Sequence, residues 1–263
     1  MSNEYILFTG CSYTRGIGFD LEDKSPDLWV NIVHQENFNS TVLINASSGG
    51  RSNAGIFQDT VSNLLKYKPK YAIVQWTSMP RIEIDTGLEL YATRCVLMPN
   101  SPLRDYNNNS YTITKEYIES IRDRLITTIH LHSEIVNLVN YVNSLVELAK
   151  VTDTKICFIN GLCDWDNNYF TRLSNFLPDQ LTPVTAKLIN IKNRDDEEIF
   201  AIYKKMHDNY DSNGSICKEY WVNLYSSLYS TRVDTNSDNM HPGKKSNLYY
   251  SNLVKNWLQI KKW

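Results

Sequence analysis

Short apolar runs and longer stretches of helical spacing take turns along this chain. The runs are residues 4–9, Thr41-Val42-Leu43-Ile44-Asn45, Tyr71-Ala72-Ile73-Val74-Gln75-Trp76 and Lys155-Ile156-Cys157-Phe158-Ile159-Asn160-Gly161. Each is short, β-prone and bounded by turn residues, which predicts a buried strand. Between them the apolar positions recur at three and four residues. Residues 27–38 do so through Leu28 and Ile32 and through Trp29 and Val33. Residues 53–66 follow, with Ile56, Val61, Leu64 and Leu65 as the expected inner face and Lys68-Pro69-Lys70 as the stop. A long helical pattern covers 114–150, with Thr114 as N-cap and an apolar side from Ile118 to Leu148. Residues 195–208 predict a further helix. Residues 243–260 predict the last, with Leu248, Leu253, Trp257 and Ile260 facing inward.

Two stretches break the rhythm. Residues 85–113 are irregular and polar, and predict a long excursion over the surface, a lid or a substrate wall. Residues 164–222 place Trp, Tyr and Asp at irregular spacing and predict a cap or small subdomain. Trp165, Tyr169 and Phe170 within it could line a pocket, although packing is the commoner fate of such rings. Alternation of strand and helix predicts an α/β fold in three layers, α/β/α, with a mostly parallel sheet. The expected organisation is one domain over 1–263, with insertions around 85–113 and 164–222.

Composition narrows the class. Hydrophobic residues make up 42% and charged residues 21% of the 263, with a net charge of −2. That is ordinary for a globular protein and gives no broad basic field for nucleic acid. Cys11, Cys95, Cys157, Cys163 and Cys217 are odd in number and form no C-x-x-C pair. They are expected to be reduced thiols, in neither a disulfide frame nor a zinc site. His130 and His132 lie two apart on a predicted helix, so they face different ways and form no metal pair. No charged apolar leader and no membrane-length apolar run is present, so a cytoplasmic location is expected.

The chemistry gathers at the two ends. Phe8-Thr9-Gly10-Cys11-Ser12-Tyr13-Thr14-Arg15-Gly16 takes the first strand into a tight turn with Ser12 at its tip. In an open α/β sheet, ligands bind just past the carboxyl ends of the strands. A serine there is a helix cap or a nucleophile. Asp238-Asn239-Met240-His241-Pro242-Gly243 adds an acid and a histidine on one loop. Ser, His and Asp together suffice for nucleophilic catalysis: Ser12 as nucleophile, His241 as its base, Asp238 orienting the imidazole. The backbone N–H of Ser12 is a candidate donor to the oxyanion such an attack forms. Cys11, next to an apolar strand, is expected to be a buried thiol.

These residues resemble the sequence blocks of the SGNH (GDSL-type) hydrolases. Gly10-Cys11-Ser12-Tyr13-Thr14-Arg15-Gly16 resembles the first block, with Cys11 where the family usually has Asp. Asn45-Ala46-Ser47-Ser48-Gly49-Gly50-Arg51-Ser52 resembles the second and puts Gly50 at the oxyanion glycine. Asp238-Asn239-Met240-His241-Pro242 matches the family's D-x-x-H-P. The third block departs: Gln75-Trp76-Thr77-Ser78-Met79-Pro80-Arg81 has no asparagine. Ser78 (or Thr77) is the expected hydroxyl donor in its place. Arg81, Trp76 and Asn53 are the expected substrate contacts. The resemblance implies a flavodoxin-like sheet and an acyl-serine mechanism that needs no metal or organic cofactor. It implies small acyl esters, O-acyl carbohydrates among them, as substrates. Acyl transfer to a sugar or macromolecule, and a catalytically inactive binding module on the same fold, are the alternatives.

Overall fold

A computed structural model of the chain describes residues 4–77, 82–85, 94–97, 131–162 and 216–263. The expected strands form at β1 (Tyr5–Thr9), β2 (Val42–Asn45), β3 (Tyr71–Trp76) and β6 (Lys155–Asn160). They pair as one parallel sheet in the order β2-β1-β3-β6. The order reverses between β1 and β3, because β2 lies on one side of β1 and β3 on the other. Such a switch point opens a crevice at the carboxyl ends of the two strands. Ser12 lies three residues past the end of β1, and Gln75 and Trp76 end β3, with Thr77 just beyond it.

Strand parity divides the core in two. On one face Leu7, Ala72, Val74, Trp76, Ile156 and Phe158 pack against α3 (Asn53–Tyr67) and α4 (Leu131–Val151). On the other, Ile6, Phe8, Ile73, Cys157 and Ile159 pack against α2 (Trp29–Asn37) and α5 (Lys244–Lys261). This is the expected three-layer α/β/α arrangement. Helix starts are satisfied by side chains. Ser52 Oγ accepts the Gly55 N–H at α3, and Asn247 Oδ1, from α5, accepts the Trp29 N–H at α2. Past α4, residues 221–229 run beside β6. Val222 N–H reaches Phe158 O, and Asn160 and Asn223 exchange bonds between side-chain amide and backbone.

Four expectations change. Residues 85–113 are not irregular throughout: β4 (Ile82–Asp85) pairs antiparallel with β5 (Arg94–Leu97). The inner face of α5 is only partly the expected one: Leu253 and Trp257 pack against the core as expected. Leu248 and Ile260 are exposed, while Ser246, Asn247, Tyr250, Ser251, Val254 and Leu258 are buried. Here buried polar groups are bonded, so the helix turns a mixed face inward. On α3, Leu65 is exposed and Thr60 takes an inward place, bonded to Thr9 Oγ1 at 2.7 Å. The last strand ends at Asn160, one residue before Gly161. The start of the 114–150 helix, the helix at 195–208, and Trp165, Tyr169, Phe170 and His130 lie outside the described residues.

Candidate active site

Ser12 is the first residue of the four-residue helix α1 (Ser12–Arg15), and Cys11 is its N-cap. Such a helix leaves its first N–H groups without internal partners. Thr14 and Arg15 donate to Cys11 O, whereas the Ser12 N–H finds no acceptor among the described residues. Ser12 itself is buried, and its hydroxyl points to Cys11 Sγ at 4.0 Å.

The histidine loop is built from acids. Asp238 Oδ1 accepts the N–H groups of Met240 and His241, both at 2.9 Å. Asp238 Oδ2 meets His241 Nδ1 at 2.5 Å. Burial pushes the Asp238 carboxyl up, but the N–H and ring of His241 and the N–H of Met240 outweigh it and hold it at about 2. An ionised carboxylate on Nδ1 fixes the proton there and leaves Nε2 as the basic nitrogen. Asn236 N–H bonds His241 O, and Thr235 bridges Pro242, so the loop is closed at its neck. Below the neck Asp234 accepts from the backbone of Lys245 and Ser246 and from the Ser246 hydroxyl. It thereby caps α5 from outside the helix. Burial raises the Asp234 carboxyl, and the Ser246 and Lys245 bonds reverse that to a net lowering.

The two ends of the chain meet. The Tyr13 and His241 rings stand edge to face, centroids 6.0 Å apart, one residue along from Ser12. Gly18, at φ +96°, lies so close that a Cβ there would sit 3.1 Å from Asp238 Oδ2. Any side chain at 18 would push the acid loop away. Burial pushes the Tyr13 phenol up, against the electrostatic pull of the Arg232 guanidinium. Arg232 donates to Met240 O at 2.5 Å, which sets its charge on the loop beside the turn.

The loop after β2 completes the crevice. Ser48 N–H bonds Gly10 O, and Asn45 Nδ2 bonds Thr14 O at 3.1 Å. Gly50 sits in the left-handed region at φ +75°, and no described residue accepts its N–H. Arg51 is buried on Asp59.

Two of the expected substrate contacts, Trp76 and Asn53, are buried. Trp76 is 1% exposed and packs between Phe158 and Tyr141. Its parity with Ala72 and Val74 sends the indole into the core. Asn53 is buried too, and its Oδ1 accepts the Thr77 N–H at 2.8 Å, so it secures the β3 loop. Thr77 Oγ1 is buried with no hydrogen-bond partner among the described residues. Ser78 and Arg81 lie outside them. Sequence reading missed Gln75 and Asp234. Among the described residues no group of three His, Cys, Asp or Glu could hold a metal, and no helix is long and apolar enough to cross a membrane.

No protein-family model and no curated protein matches this chain. Solved structures of similar shape include TesA, 13% identical, covering 97% of this chain and 98% of its own, with a TM-score of 0.47. The lipase/acylhydrolase from Enterococcus faecalis is 13% identical over 98% of this chain and 96% of its own, with a TM-score of 0.46. A GDSL-like lipase from Bacteroides thetaiotaomicron is 12% identical over 98% and 89%, with a TM-score of 0.43. Identities and scores this low leave the reading of the site to its own geometry.

Proposed function

We propose that the chain is a serine hydrolase of the SGNH type that cleaves small acyl esters through an acyl-serine on Ser12. The observation that carries this reading is the Asp238–His241 pair, with Nδ1 engaged, on a loop lying against the turn that bears Ser12. The turn's place at the switch point between β1 and β3 supports it. Ser12 Oγ attacks the acyl carbon as its proton passes to His241 Nε2. The imidazolium, steadied by Asp238, returns that proton to the departing alcohol. Water then attacks the acyl-serine, giving up a proton to Nε2; collapse expels Ser12 Oγ, which takes that proton back as the free acid leaves. Negative charge on the former carbonyl oxygen falls to the N–H groups of Ser12 and Gly50, and the Thr77 hydroxyl is a third donor. O-acyl groups on carbohydrates belong to the substrate class.

The direct test is hydrolysis of p-nitrophenyl acetate and butyrate by the wild type and by Ser12→Ala. Turnover by the wild type that disappears in Ser12→Ala, with Ser12 labelled by a fluorophosphonate, is the expected result. Equal turnover by both proteins would overturn the reading. No turnover and no labelling would turn it toward a binding module. Adding an alcohol acceptor and following product composition separates hydrolysis from acyl transfer.

A further inference from the structure

We infer that Gln75 is a positioning residue, an amide clamp that holds the turn at 10–14 in shape while leaving the Ser12 N–H free. The inference rests on the reading of Ser12 as nucleophile. Gln75 is fully buried at the carboxyl end of β3, 64 positions from the turn it serves. Its Oε1 accepts the Cys11 N–H at 3.2 Å and the Thr14 hydroxyl at 2.8 Å. Its Nε2 donates to Trp76 O at 2.5 Å. The Cys11 thiol lies 3.3 Å from both amide heavy atoms. One side chain thus grips both ends of the first turn of α1 and fastens it to β3.

Space has been cleared for this amide on two other strand ends. A Cβ on Gly10, after β1, would lie 2.8 Å from Gln75 Oε1. A Cβ on Gly161, after β6, would lie 1.7 Å from Gln75 Nε2. Three strand ends therefore converge on one buried amide. A buried amide is retained at low cost only when its donors and acceptor are matched, as here. The grip uses the Cys11 N–H and the Thr14 hydroxyl but not the Ser12 N–H. The bond network that fixes the turn is thus separate from the donor that receives the oxyanion. Where the first block usually carries Asp, this chain has Cys11, whose thiol lies against the clamp instead of supplying a carboxylate.

The test uses Gln75→Leu, with Thr14→Val and Thr14→Ser in case the first fails to fold. Steady-state ester hydrolysis, fluorophosphonate labelling rate and Tm are measured together. Loss of the clamp moves Ser12 by a fraction of an ångström to an ångström, so kcat and the labelling rate should fall by about 100-fold in Gln75→Leu. Thr14→Val should lose roughly tenfold, by the same misplacement argument. KM should stay near wild type in both, and Thr14→Ser should restore the rate. A merely structural residue would lower Tm while kcat, read well below Tm, stayed unchanged; that outcome overturns the clamp. So does Thr14→Ser as slow as Thr14→Val. If Ser12→Ala abolishes turnover and Thr14→Val does not slow it, the clamp alone fails. If Ser12→Ala is fully active, the hydrolase reading fails and the clamp with it.

Discussion

The serine turn and the histidine loop face each other, but they are held in opposite ways. The turn is sunk into the sheet, and side chains from far along the chain hold it: Gln75 from β3 and Asn45 from the end of β2. The loop stands half exposed and is held by its own acids, Asp238 within it and Asp234 at its base, over spans of two to twelve residues. A turn fixed by long-range bonds is as stable as the sheet and loosens only with it. A loop fixed by local carboxylates can be loosened alone, by a proton or a point change, while the sheet stays folded. The nucleophile is thus tied to the fold, and the base is tied to charge.

The sharpest way to break this comparison is Asp238→Asn. The amide can still cap the N–H groups of Met240 and His241, but it cannot steady an imidazolium or enforce the Nδ1–H tautomer. We expect kcat to fall by about 10⁴-fold, with KM and Tm changed little. The same residue sets an acid window. Asp238 is held at about 2, below an unfolded carboxyl near ~3.9. As pH falls, the unfolded chain takes up its proton first. The stabilisation from Asp238 is therefore complete above about pH 4 and is lost on the way down to about 2. Urea melts at pH 2–5 should show a steeper loss in the wild type than in Asp238→Asn. Parallel curves would mean that Asp238 does not anchor the loop.

Asp234→Ala comes next. It removes the acceptor for the first turn of α5, and a lost cap costs about 1–2 kcal/mol. In a chain of this length that lowers Tm by a few degrees. Activity well below Tm should change far less than in Asp238→Asn, because Asp234 touches no reacting group. A fall in kcat as large as that of Asp238→Asn would show that the base of the loop, not its tip, sets the histidine.

How much of this was legible in the sequence follows the same divide. The parallel strands were, because strands covered on both faces read as continuous apolar runs. Asp238 and His241 were, because three residues separate them. Gln75 was not: its partners lie 64 residues away, and a glutamine in a strand run carries no local signal. Asp234 was hidden because the carboxylate that caps α5 lies outside the helix and ten residues before its start. The face of α5 was read only in part, through Leu253 and Trp257, because Ser246, Asn247 and Ser251 are polar and buried, which apolar spacing cannot reveal. Trp76 is the case where a signal existed. Its place at a strand end suggested substrate, whereas alternation with Ala72 and Val74 already put it in the core.

The smallest effect should come from Arg232→Met, which cuts the tie between the two regions without removing a reacting group. The guanidinium donates to Met240 O, lies 4.9 Å over the Tyr229 ring and acts electrostatically on the Tyr13 phenol. Methionine keeps much of the stem that packs on that ring but neither donates to Met240 O nor carries the charge. Partly exposed charged contacts of this kind are worth ~0.5–1 kcal/mol. If that energy goes into holding the histidine loop against the turn, kcat should fall about two- to fivefold. The fall should ease as salt is raised in the wild-type comparison, because screening weakens the same contact there. A fall approaching that of Asp238→Asn would mean that loop and turn are joined mainly through Arg232. No fall would mean that the edge-to-face contact of Tyr13 with His241 suffices, and that acids and sheet place the two halves independently.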